Sequence, residues 1–246
     1  MQGGSIRLFK IFGIEVFLHF SWFIVAAWQL TARRGLYGSP IFALYEYLAL
    51  FAIVLMHEFG HALACRQTGG IADRIMLWPL GGIAFVQPPQ RAGAQLWAIA
   101  AGPLVNVVLL PILLGAIFAG GILGLPVAAP NAYKLLVNIA WINVIILCFN
   151  LLPIYPLDGG QILRSLLWFV IGRVRSLRVA AVLGFITIPI AVLFGISRGF
   201  DPLWGGILGF FLFSQAIAGW RQAQALAQME KEAAQLREMP ERPLVL

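Results

Sequence analysis

The 246-residue chain is 61% hydrophobic and only 11% charged, and its mean hydropathy is +0.88. An average soluble domain carries roughly 25% charged residues, so this composition excludes a water-soluble fold and places the chain in a lipid bilayer. The net charge of +7 comes from Lys and Arg residues spread among short loops, which argues against nucleic acid as a partner and favours a role in membrane topology.

Apolar stretches of about 20 residues are the unit that crosses a bilayer as a helix. Six such stretches predict an all-α membrane protein with six transmembrane helices, at residues 13–31, 44–64, 94–122, 132–152, 177–197 and 203–219. The first is long, contains Glu15, His19 and Gln29 and lacks a small-residue cleavage site, so we interpret it as a retained helix rather than a signal peptide. A shorter apolar piece at 161–171 predicts an interfacial or re-entrant helix.

The loop after the second span has a composition typical of β-strands rather than of a loop in water. Its sequence, IADRIMLWPLGGIAFV, places two short β-prone runs around Pro79 and Gly82, which predicts a β-hairpin. The runs are too apolar for a loop in water. We therefore expect a re-entrant hairpin that lies against the helices, where backbone at membrane depth can be buried in protein.

Lys and Arg residues are distributed unevenly between the two sides. If the six spans alternate, 13 of these residues fall on one side and four on the other, and the positive-inside rule then places both termini in the cytosol. Residues 220–246 are rich in helix formers and predict a cytosolic helical tail after a transmembrane core at 1–219.

The second span carries the pattern HExxH at His57, Glu58 and His61. On a helix, residues four apart lie on one face, so two imidazoles at this spacing can bind one zinc ion while the Glu acts as a general base toward water. The alternative is a pair of core histidines, but ionisable groups at membrane depth are costly and usually functional.

A catalytic zinc ion normally has three protein ligands, and the sequence leaves few choices for the third. No His follows His61, no Glu lies between Glu58 and Glu230, and the acidic residues of that interval are Asp73, Asp158 and Asp201. Asp201 falls on the opposite side of the predicted membrane and Asp73 reads as a surface ion pair. Asp158, in NLLPIYPLDGG, lies at the same side and depth as His61. Its alternative role is the N-cap of the following helix.

Other polar residues within the spans have weaker claims. Cys65 is one turn beyond His61 but reads as an inert buried thiol. Asn106 reads as interhelical glue, whereas Asn150 is a candidate for stabilising an oxyanion during catalysis. Only packing roles are predicted for the remaining three, Asn138, Asn143 and His19.

Together, HEFGH, AGPLVN and NLLPIYPLDGG resemble the site-2 protease family of intramembrane zinc metalloproteases, over nearly the whole chain. The resemblance implies one zinc ion held by His57, His61 and Asp158, with Glu58 activating water. It also implies cleavage of a transmembrane protein substrate in or near its membrane segment, in regulated proteolysis. The PDZ and CBS domains of many members have no counterpart in this sequence, so the resemblance is to a minimal form.

The sequence is also compatible with two alternatives to a protease: a membrane zinc transporter or sensor, and an inactive relative that acts as a binding module. The ionisable groups cluster toward one side rather than lining both membrane halves, and Glu58 is not needed for metal binding alone. We further hypothesise that the hairpin around residues 71–87 pairs with an unwound substrate strand. Substrate identity and oligomeric state are left open.

Overall fold

The structure, a computed structural model, describes residues 4–78 and 81–238. Helices dominate these residues, and four short strands lie in the N-terminal third of the chain. The elements in chain order are β1 (Ser5–Ile11), β2 (Ile14–His19), α1 (Ser21–Ala32), α2 (Arg34–Tyr37), α3 (Pro40–Gln67), β3 (Ile71–Trp78), β4 (Gly81–Gln87), α4 (Ala92–Ile122), α5 (Leu125–Ala128), α6 (Pro130–Asn150), α7 (Asp158–Ile171), α8 (Arg173–Ser197) and α9 (Pro202–Glu238).

Five helices of the described chain, α3, α4, α6, α8 and α9, are long and apolar enough to cross a membrane. They coincide with five of the six predicted spans, except that α6 ends two residues before the predicted limit of 152. The protein is therefore an integral membrane protein. Helix α9 continues without a break across the predicted core–tail boundary at residue 219 to Glu238.

The prediction of a helical first span at 13–31 is wrong. Its first third is strand β2, and α1 has only 12 residues, which gives about 18 Å of helix against a hydrocarbon core of about 30 Å. The signal for a strand is the alternation of buried Ile14, Val16 and Leu18 with half-buried neighbours, a period of two that the length of the apolar stretch concealed. Phe12 and Gly13 form the turn before it, both at positive φ.

The predicted hairpin is confirmed but belongs to a larger sheet, which corrects the all-α class to a mostly helical fold with a small β-sheet. The strand order is β1-β2-β3-β4, with antiparallel pairs at both ends and a parallel pair between β2 and β3. Ile75 faces Ala84 across the β3–β4 ladder. The inner face of the sheet packs with α3 and α4 in one buried cluster that includes Trp22, Val54 and Ala98.

Two contacts fix the N-terminal segment against the two ends of α3. The Arg66 guanidinium donates to the carbonyl oxygens of Phe12 and Gly13, the latter at 3.2 Å. At the other end, Arg33 Nε lies 3.1 Å from the buried Glu46 carboxylate. Arg66 and Glu46 are 20 residues apart on α3, or about 30 Å at a rise of about 1.5 Å per residue, so residues 13–33 extend along the membrane-crossing length of α3.

The chain divides into two compact units, Met1–Leu151 and Leu152–Leu246. The second contains α7, α8 and α9, and its small apolar core is formed by Ile154, Ile188, Leu212 and Ala216. Helix α7 covers the predicted interfacial helix and begins three residues earlier, at Asp158.

Candidate metal centre

Two histidines of α3 face each other one helical turn apart. His57 and His61 are both buried, and their Nε2 atoms lie 3.1 Å apart. The spacing of four residues places both rings on the face of α3 that meets α4. Ligation by two nitrogens at about 2.05 Å in tetrahedral geometry would require a separation of about 3.3 Å, so the pair fits a zinc ion without rearrangement.

Helix α4 supports this pair with a row of residues spaced by four: Ala98, Gly102 and Asn106, all buried. The carbonyl oxygen of Ala98 lies 2.9 Å from His61 Nδ1. Since a carbonyl only accepts, Nδ1 of His61 carries the proton and Nε2 keeps its lone pair for a metal. Gly102 leaves room for the ring, because a Cβ at this position would lie 2.3 Å from His61 Nε2.

His57 has an amide partner rather than a backbone one. Its Nδ1 lies 2.7 Å from Asn106 Oδ1. The Nδ2 of Asn106 in turn donates to Asn143 Oδ1 at 2.8 Å, and Asn143 Nδ2 donates to the Asn106 carbonyl oxygen at 2.9 Å. Both asparagines are fully buried. Their contact with a metal-ligand candidate was missed at the sequence level, although the Gly102–Asn106 spacing within AGPLVN could have indicated it.

Glu58 is held by the sheet. Its Oε2 accepts a hydrogen bond from the backbone N–H of Ala84 on β4 at 2.9 Å, and the side chain is buried. Strand β4 is the last in the strand order, so its outer edge faces this carboxylate rather than another strand. A backbone donor of this kind leaves no trace in side-chain chemistry and could not be predicted from residue types.

The family is decided by comparison with known proteins. The family description Peptidase family M50 matches residues 45–123 and 119–194, which include α4, α6, α7 and most of α3. This chain belongs to peptidase family M50. It is a metalloprotease of the site-2 protease type, and the interpretation as a zinc transporter is not favoured.

Relatives of this M50 chain carry matching names. A protein of Synechocystis sp., provisionally named a zinc metalloprotease, is 33% identical over 99% of this chain and 67% of its own length. A zinc metalloprotease of Methanocaldococcus jannaschii is 34% identical over 78% of this chain and 54% of its own length. The solved site-2 protease from M. jannaschii has a TM-score of 0.57 at 28% identity, covering 88% of this chain and 95% of that one. This M50 chain therefore spans 67% and 54% of the lengths of the two named relatives. It spans 95% of the solved structure.

The remaining predicted site residues of the M50 chain lie at helix ends. Asn150 is the last residue of α6 and is half-buried. Asp158 is buried and is the first residue of α7, whose N-cap position is Leu157. Asp158 is thus not the N-cap that the alternative interpretation required.

The rejected ligand candidates are engaged elsewhere. Asp73 is exposed and forms an ion pair with Arg66 at 3.7 Å. Asp201 accepts from the backbone N–H groups of Leu203 and Trp204 and caps α9. The Cys65 thiol is buried and contacts the Ile71 carbonyl oxygen at 3.4 Å. The ion pair of Asp73 and the burial of Cys65 agree with the roles expected from the sequence, whereas the capping role of Asp201 was not predicted.

Proposed function

We propose that this chain hydrolyses peptide bonds within or beside the transmembrane segments of membrane proteins, with one zinc ion held by His57, His61 and Asp158. The observation that carries the proposal is the pair of buried imidazole Nε2 atoms 3.1 Å apart, with Glu58 next to His57 in the chain and oriented by β4. Zinc bound there would supply Lewis-acid polarisation of the scissile carbonyl.

Glu58, held by the backbone N–H of Ala84, is proposed to carry out the proton transfers of the reaction. Glu58 takes a proton from the attacking water as the new C–O bond forms, and it returns that proton to the amine nitrogen as the C–N bond breaks. The Ala84 N–H holds the carboxylate in place for both transfers. The surrounding burial excludes bulk water and strengthens each of these interactions.

Asp158 is proposed as the third ligand on three grounds. It is buried without being the N-cap of α7. Between Glu58 and Glu230 the only other acidic side chains are Asp73 and Asp201, and both have surface roles. Carboxylate oxygen is also a normal zinc ligand beside two histidines.

Asn150 is proposed to stabilise the oxyanion. The amide N–H₂ can donate to the negative oxygen that forms on the scissile carbonyl. Its position supports this role, since it ends α6 and is followed by the short segment that leads to Asp158. Replacement by alanine should lower kcat by about 10²-fold or more while leaving zinc content unchanged. Full kcat in this variant would remove Asn150 from the mechanism.

The substrate is proposed to pair with the outer edge of β4. N–H groups alternate in direction along a strand, so Val86 presents its N–H to the same outer side as Ala84. Proline at Val86 should therefore weaken cleavage of a transmembrane substrate with little change in zinc affinity. Unchanged cleavage would show that the substrate does not use this edge.

The membrane arrangement is also a proposal. We propose that β2 and α1 together make the first of six crossings, since the contacts at Arg66 and Arg33 lie about 30 Å apart along α3. The unequal distribution of Lys and Arg then favours cytosolic termini, a cytosolic end of α9 and a metal centre near the cytosolic side of the cell membrane. Cysteine labelling from either side of sealed vesicles, at positions 4 and 235, tests this arrangement.

The deciding experiment compares purified wild type with Glu58→Gln in detergent. Zinc content and cleavage of a model transmembrane protein are measured for both, with Glu15→Gln as a matched control, because Glu15 forms a surface pair with Arg7. Cleavage should require zinc, persist in the control and be lost in Glu58→Gln, which keeps its zinc. Zinc bound by wild type without cleavage of any substrate would overturn the protease assignment.

A further inference from the structure

The hydrogen bonds around His57 contain one group whose polarity is fixed by covalent chemistry. The backbone carbonyl of Asn106 can only accept, so the Asn143 atom 2.9 Å from it must be the Nδ2 donor. The other end of the Asn143 amide is then its oxygen, and it faces Asn106 at 2.8 Å. Only a donor can face that oxygen, so the Asn106 amide is also fixed, with Nδ2 toward Asn143.

We infer that Asn143 and Asn106 together are positioning residues that dictate which nitrogen of His57 is available for the metal. With Nδ2 of Asn106 committed to Asn143, its Oδ1 faces His57 Nδ1 at 2.7 Å. An oxygen acceptor requires Nδ1 to carry the proton, and the lone pair is left on Nε2. This inference rests on the proposed zinc site and adds two residues to its machinery.

Burial explains why the direction of the hydrogen bonds from Asn143 through Asn106 to His57 matters. Both amides are fully buried and bridge α4 and α6, so water cannot replace a misdirected donor or acceptor. If Asn143 did not hold it, the Asn106 amide could rotate and present its N–H₂ group to His57 Nδ1. The proton would then move to Nε2, and the lone pair would be lost from the position that faces His61.

Both histidines therefore carry the proton on Nδ1 and keep the lone pair on Nε2, but their hydrogen-bond partners differ. His61 is set by a backbone carbonyl, which no substitution can reverse. His57 is set by side chains on two other helices, which makes its competence for metal dependent on the packing of α4 against α6. Partners of this kind typically change metal affinity by 10- to 100-fold when removed.

The test measures zinc affinity by competition with a chromophoric chelator, together with the thermal stability of the zinc-free protein. Asn106→Leu should lower zinc affinity by about 10- to 100-fold, and Asn143→Leu should lower it by a smaller factor. Asn106→Asp keeps an oxygen acceptor for His57 and should retain at least wild-type affinity, although a carboxylate at this position should destabilise the zinc-free protein more than leucine does. Asn138→Leu is the matched control, since Asn138 is an α6 amide that donates to Tyr37 and Glu46 instead; its zinc affinity should be unchanged.

A positioning role predicts that Asn106→Asp binds zinc more tightly than Asn106→Leu although its zinc-free form is less stable. A packing role predicts instead that zinc affinity follows stability. If both variants of Asn106 lost zinc in proportion to their lost stability, or if both leucine variants bound zinc as tightly as wild type, the inference would be wrong. Wild type that binds zinc but cleaves nothing would overturn the proposed protease and leave this inference standing. Wild type that binds no zinc would overturn both.

Discussion

The backbone N–H of Ala84 donates to the Glu58 carboxylate at 2.9 Å, so the edge of the sheet and the candidate general base are directly connected. Because the Ala84 N–H points away from β3, the N–H of the next residue, Phe85, points toward it. Substitutions at Ala84 and Phe85 therefore affect different hydrogen bonds, the first at the outer edge of β4 and the second in its ladder with β3.

Proline at Ala84 should remove this backbone donor to Glu58 and leave the β3–β4 ladder in place. We expect a fall in kcat of about 10- to 100-fold, because the carboxylate loses its orientation, with zinc affinity close to wild type. Steady-state kinetics and chelator competition measure the two quantities. Phe85→Pro is the comparison: it breaks a ladder hydrogen bond and should lower thermal stability more than Ala84→Pro does. A fully active Ala84→Pro variant would show that Glu58 needs no donor from β4.

Alanine at Gly102 should disrupt the metal site through contact alone. The added methyl would lie 2.3 Å from His61 Nε2, so the ring must move from its position opposite His57. Zinc affinity should fall at least about tenfold. Gly115→Ala on the same helix is the control, since a Cβ there meets nothing within 4 Å. Equal zinc affinity in the two variants would place the bound metal elsewhere.

Alanine at Gly160 tests the contribution of Asp158 within the second unit. A Cβ at Gly160 would lie 2.4 Å from the backbone of Ile154 and Tyr155, so the start of α7 must shift, and Asp158 with it. We expect weaker zinc binding, again by about 10-fold or more, in an otherwise folded protein. Gly206→Ala on α9 has open space around it and should behave as wild type. Unaltered zinc binding in Gly160→Ala would argue against Asp158 as a ligand.

Glu46→Gln should lower stability without touching the metal site. The buried carboxylate accepts from Tyr37, Asn138 and Gln29 and pairs with Arg33. Burial and the adjacent Glu46 carboxylate raise the pKa of Tyr37 to about 12, so its hydroxyl remains a donor over the ordinary pH range.

Replacing the charge in this network should cost about 2 kcal/mol of unfolding free energy. Glu15→Gln removes a partly exposed pair with Arg7 and should cost about 0.5 kcal/mol or less. Reversible denaturation in detergent measures both changes, and zinc affinity should be unaltered in each. A similar small cost at both positions would show that the Glu46 network contributes little.

Sequence reasoning located the parts of the site that depend on residue type and spacing. HExxH indicated a shared helical face for His57 and His61, and the structure confirms that the rings meet. The hairpin at β3–β4 was also predicted, because its alternating apolar runs flank a turn. These signals are local, so they survive without knowledge of the rest of the fold.

What the sequence concealed depends on contacts between distant segments. Ala98 and Ala84 contribute backbone groups, whose direction no side chain reveals. Asn106 and Asn143 looked like ordinary interhelical contacts until their partners were known. The prediction of a helical first span was wrong because hydropathy indicates that a segment is apolar and not which secondary structure it adopts. The strand conformation of β2 depends on pairing with β3, more than 50 residues later.

The parallel pairing of β2 with β3 also sets an order of events during biosynthesis. Strand β2 leaves the ribosome before β3 exists, and α3 is synthesised between the two strands. Until then, the backbone groups on one side of β2 have no strand partner, so the N-terminal segment cannot enter the hydrocarbon region in its final form. Strand β2 thus gains its second strand partner only after helix α3, which carries the HExxH residues, has been synthesised.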